Sequence, residues 1–180
     1  MLRRILLAFA LVLAPLLPPN EQSLRAQPSL EYQVKAAYIS KLSPFIDWPS
    51  SAFAAPNAPL VICIVGNDPF GAALDRAVEG TRDRDHPLQV RRLPTPDPDA
   101  ACHILFAGDA AIAGQAIEQM RARPVVTVTD SGQPARGMLS FVIAANHVRF
   151  DIDAAAAERV GLRFSSKLLA LARTVRRASR

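Results

Sequence analysis

Residues Ala58–Gly71 read APLVICIVGNDPFG, and this stretch decides the fold. Leu60 to Val65 is an unbroken apolar run, rich in β-branched residues, that stops at Gly66. Because it lacks polar alternation, a strand formed here must be covered on both faces. Asn67 and Asp68 can cap the next element, and Pro69 suits the first turn of a helix. A doubly buried strand, a tight turn and a helix start make the first half of a βαβ unit.

The chain has 180 residues, half of them hydrophobic, which is enough for a core and argues against disorder. Arg3 and Arg4 precede an apolar run from Ile5 to Leu17, and Pro18, Pro19 and Asn20 break it. That is the pattern of a secretory leader, with residues 1–26 as signal peptide and 27–180 as one exported domain. The formal net charge is +5. Arg173, Arg176, Arg177 and Arg180 crowd the C-terminus, so the basic balance is a property of the tail. Aromatic and basic residues do not interleave, and no nucleic-acid partner is expected.

Upstream of the central stretch, spacing predicts a helix over Leu30–Trp48. Its apolar stripe is Val34, Ala37, Tyr38, Lys41, Leu42 and Phe45, with Glu31, Lys35 and Ser40 off it, and Pro44 near its end. Tyr38, Phe45 and Trp48 are expected in the core. Downstream, Phe70–Glu79 is expected as a crossover helix, TRDRDHP as a loop and Leu88–Leu93 as an outer strand. His103–Ala107 and Val125–Val128 read as further strands, with a helix over Asp109–Met120 between them. Met138–Ile143 and His147–Ile152 make a hairpin across Ala144-Ala145-Asn146. A last helix is expected after Asp153, continuing past Gly161 through Phe164, Leu168, Leu171 and Val175 into arginines that suit its C-terminal dipole. The resulting fold class is α/β: a three-layer open, mostly parallel sheet with helices on both faces and a C-terminal antiparallel hairpin. The expected strand order is 2-1-3-4 followed by the hairpin.

Motifs for chemistry are sparse. The spacing from Gly66 to Gly71 matches neither a dinucleotide fingerprint nor a phosphate-binding loop, and Asp68 would repel a phosphate. His86, His103 and His147 are scattered without metal-ligand spacing. Phe164-Ser165-Ser166-Lys167 lacks the spacing of a serine–lysine nucleophile. Asp130, Asp151 and Asp153 stand at strand ends, where acids cap turns. No nucleophile, base and orienter assemble, so neither an enzyme nor a cofactor is expected. Cys63 and Cys102 form an even pair in an exported chain, which leaves open a disulfide or two buried thiols.

Four stretches together resemble the YfiR family of bacterial periplasmic proteins: VKAAYISKLSPFIDWP, LVICIVGNDPFGAAL, ARGMLSFVIAANHVRFDI and ERVGLRFSSKLLALA. The resemblance runs from about Leu30 to Val175. It implies a non-enzymatic repressor that contacts the periplasmic sensor domain of an inner-membrane diguanylate cyclase, lowering cyclic-di-GMP and biofilm formation. It further implies relief by an outer-membrane OmpA-like lipoprotein, and it admits a homodimer. Cys63 and Cys102 match a family pair whose oxidation depends on redox conditions, while the family's second pair is absent here. The contact surface is expected around Trp48 to Phe53 and the final helix, at Arg163 and Lys167. The rival expectation is a periplasmic small-ligand-binding module with its pocket at the strand C-termini.

Overall fold

The computed structural model describes residues 28–178, so the leader read over residues 1–26 lies outside the described residues. In chain order the elements are α1 (Leu30–Ser40), a 3-10 turn (Ser43–Phe45), β1 (Ile46–Asp47), a second 3-10 turn (Ser50–Ala52), β2 (Leu60–Val65), α2 (Ala72–Val78), β3 (Arg82–Asp83) and β4 (His86–Leu93). Then come β5 (Ile104–Ala107), α3 (Ala110–Met120), β6 (Val126–Thr129), β7 (Leu139–Ala144), β8 (His147–Asp153), α4 (Ala154–Arg159), β9 (Arg163–Phe164), α5 (Ser166–Leu171) and β10 (Thr174–Arg176). No helix among them is long and apolar enough to cross a membrane.

Eight strands form one sheet in the order β10-β8-β7-β6-β5-β2-β4-β3, and β1 and β9 pair separately as a short antiparallel ribbon. The run β4-β2-β5-β6 is parallel throughout, and β7–β8 is the antiparallel hairpin. This is the strand order the sequence predicts. All six residues of β2 are buried. Leu60, Ile62 and Ile64 face a core shared with α1, α2, α4 and α5, whereas Val61, Cys63 and Val65 face one built on α3. Each such aliphatic contributes about 1.5–3 kcal/mol through burial. Gly66 ends the strand at φ +78°, where an added Cβ would lie 2.6 Å from Ile112 of α3.

Three expected elements differ from the structure, each for a local reason. The first helix stops at Ser40 rather than reaching Trp48, because Pro44 cannot continue an α-helical ladder and the chain tightens into a 3-10 turn before β1. The TRDRDHP segment is no open loop: Arg82–Asp83 pairs with His86–Pro87, and Arg84 turns at φ +52°. The final helix is two short helices separated by β9. Gly161 takes φ +77°, with Gly161 N–H donating to Glu158 and Leu162 N–H to Ala157, which closes α4 in a Schellman arrangement. Ser165 then accepts from Leu168 N–H at 3.3 Å and starts α5 afresh. The arginines therefore do not end a helix. Arg173 pairs with Asp151 and Arg176 with Asp153, fastening β10 along β8.

Candidate functional site

At the C-terminal end of the parallel strands lies a pocket of about 320 Å³, lined by Tyr32, Asn67, Pro69, Gly108, Asp109 and Ala110. Its charged neighbours are engaged within the protein. Asp68 accepts from Phe70 N–H (2.8 Å) and Gly71 N–H (3.2 Å), so it caps the turn before α2 rather than the helix itself. Arg92 donates to Asp68 at 2.7 Å and to Asp75 at 2.8–2.9 Å, and these carboxylates hold its guanidinium more firmly protonated. Asp109 caps α3 through Ala111 N–H. Beneath, the fully buried Lys35 ammonium donates to both Glu31 and Asp130, while the Tyr32 hydroxyl donates to Asp130 at 2.7 Å. Burial, and then the Asp130 contact, push the Tyr32 phenol above its ordinary range. Among the described residues, no cluster of three or more His, Cys, Asp or Glu is placed to hold a metal.

At the opposite end of the sheet, Phe53 is stacked between His86 (3.8 Å) and His103 (4.5 Å), with Trp48 edge-on to both Phe53 and His103. His103 Nδ1 accepts from Val61 N–H at 3.1 Å, and His86 Nδ1 meets the Ala58 carbonyl at 2.6 Å. Since a carbonyl can only accept, His86 carries its proton on Nδ1 in this contact. Burial lowers the His103 pKa to about 4; the Ala52 carbonyl opposes this and the charge on His86 adds to it. The imidazole is therefore neutral at neutral pH. The cysteine pair is a disulfide with Cα atoms 5.7 Å apart, joining β2 to the segment just before β5.

The β1–β9 ribbon brings the expected contact segments together. Ile46 faces Phe164, Asp47 faces Arg163, and Ser165 N–H donates to the Phe45 carbonyl. Pro49 packs beside Gly161. Trp48 follows Asp47 directly and is half-buried, whereas Arg163 and Lys167 are exposed. Phe53 is turned toward the two histidines, so it supports the Trp48 segment from below.

An apolar cleft between α1 and α5 has no counterpart among the sequence expectations. Val34, Ala37, Tyr38, Lys41, Leu42, Phe45, Phe150, Leu168 and Leu171 enclose it, with a volume of about 380 Å³. Five of these belong to the stripe expected to face the core and yet are not buried: Val34, Ala37 and Lys41 are exposed, and Tyr38 and Phe45 are half-buried. The buried side of α1 instead carries Lys35, Ala36, Ile39 and Ser40. Amphipathic spacing was visible; which side faced inward was not. A family model described as YfiR/HmsC-like matches residues 32–173. No curated protein matches the chain.

Proposed function

The chain belongs to the YfiR/HmsC-like family, and from that premise we propose that it is a periplasmic regulator that represses an inner-membrane diguanylate cyclase by contact. In this reading the protein is exported after loss of residues 1–26 and binds the periplasmic sensor domain of the cyclase. Its contact surface is the β1–β9 rim, with Trp48 and Phe53 as the aromatic base and Arg163 and Lys167 as the exposed charges. The observation that supports this most is the ribbon itself. It sets Asp47, the residue before Trp48, opposite Arg163 although the two segments lie far apart in the chain. Repression then requires tighter binding to the inactive receptor than to the active one, because equal affinity shifts no equilibrium. An OmpA-like lipoprotein that covers the same rim would relieve repression by competition.

Deleting the gene should raise cyclic-di-GMP and surface attachment, and the exported chain should restore both. A chain without residues 1–26 should not. Exchanging Arg163 and Lys167 for glutamine should abolish restoration while leaving the melting temperature nearly unchanged. An unchanged cyclic-di-GMP level on deletion, with a membrane cyclase expressed, overturns the reading. It would favour the second one, a ligand-binding module using the pocket at Tyr32, Asn67 and Asp109.

A further inference from the structure

The cleft between α1 and α5 is a different surface from the rim. At about 380 Å³ it falls at the small end of the ~300–1,000 Å³ common for ligand sites. Its walls are aliphatic and aromatic, and among the described residues Lys41 is the only charged one that lines it, with no acid. Among the described residues Lys41 has no ion-pair partner. The carbonyls at the C-terminal end of α1 carry about half a unit of negative charge, which the full ammonium charge of Lys41 outweighs. Two wall residues are also exposed out of proportion to their size, Leu171 at 62% and Val34 at 37%. Water thus meets an apolar trough with a cation at its lip.

The geometry points to a binding site for an apolar-tailed carboxylate, with the tail along Val34, Tyr38, Phe45, Phe150 and Leu171 and the carboxylate on Lys41. The tail removes apolar wall from water, and the charge fixes which end leads. The aliphatic walls and limited volume suit a medium-length chain.

The test titrates decanoate, below its micelle-forming range, into the purified exported chain and follows heat and melting temperature. Saturable binding of one decanoate per chain is expected, with a raised melting temperature. Decanol, which has the same tail without charge, should bind about tenfold more weakly. Lys41→Gln should remove that tenfold preference and leave decanol binding intact. Ala37→Phe, on the exposed side of α1, should block both ligands. If that variant does not fold, Leu171→Glu should weaken decanoate far more than decanol. The proposal is overturned by an absence of saturable decanoate binding, by equal affinity for decanol, or by wild-type affinity in both cleft variants.

Discussion

The two sides of α1 contradict the rule that aliphatics go inside and lysines outside. Lys35 has 0% exposure, while Leu30 on the same helix is 75% exposed. The inward side succeeds because of what it meets. Asp130, at the end of β6, and Glu31 receive the ammonium, Tyr32 supplies a ring face at 4.7 Å, and Phe141 supplies another at 5.7 Å. Burying an ammonium costs several kcal/mol, offset here by two carboxylates. The outward side, with Val34 and Ala37, borders the cleft, and Val34 also borders a depression against the β7–β8 hairpin. Helix burial is thus decided by the surface opposite, and a partner for a charge can outrank hydrophobic spacing.

The largest test of this contrast is Lys35→Met. It leaves Asp130 buried without its cation and should cost about 3–5 kcal/mol in urea denaturation. Adding Asp130→Leu should recover much of the loss. A cost below about 1 kcal/mol would mean that the ammonium is not held as described. A yardstick lies on the other side of the sheet, where the Cys63–Cys102 link stabilises without any charge. Cys63→Ser should lower stability by about 2–4 kcal/mol under oxidising conditions, and much less with reductant present.

His103 sharpens the contrast from the opposite direction, being a buried titratable group with no acid beside it. Its folded pKa near 4 lies below the ordinary value near 6.5, so the unfolded chain takes up a proton first. Stability should therefore be full above pH 6.5 and fall as pH drops toward 4, by at most about 1.4 kcal/mol per pH unit. Imidazole NMR shifts across this window check it, and titration of His103 near pH 6.5 would contradict it. The smallest effect belongs to the open side of α1. Val34→Ser should change stability by less than about 0.5 kcal/mol, as expected of a surface site. A loss above about 1.5 kcal/mol would show Val34 to be core.

Legibility tracked how local each signal was. The β2 run and the Ala145-Asn146 turn are short-range features, whereas the cap read at Asn67 or Asp68 belongs to the turn before α2. The Ala145-Asn146 turn adopts φ +48° and +60°, the backbone of a two-residue hairpin loop. Strand order came from handedness and alternation. Gly161 and Ser165 also spelled out a helix stop and a new start, but the apolar spacing of Leu168, Leu171 and Val175 hid them. The side of α1 that turns inward was not readable, because Asp130 arrives from the fourth parallel strand. The cleft needs α1 and α5 to meet, so no single stretch announces it. Trp48 and Arg163 are each singled out by the sequence, but the ladder that sets Asp47 opposite Arg163 is not readable there.

The pairing of those two segments bears on how the β1–β9 surface is assembled. Registering Ile46 with Phe164 closes most of the described chain into a loop, for two residues of ladder on each side. Closure over such a distance costs entropy that only an already folded sheet can offset. The ribbon is therefore expected to form late, after the local pairings around β2, and amide-exchange labelling during refolding checks that order. A chain arrested midway, or lacking its final segments, would own a hydrophobic interior and no rim. On the proposed reading, competence to bind a receptor across the β1–β9 surface would be tied to completion of the fold.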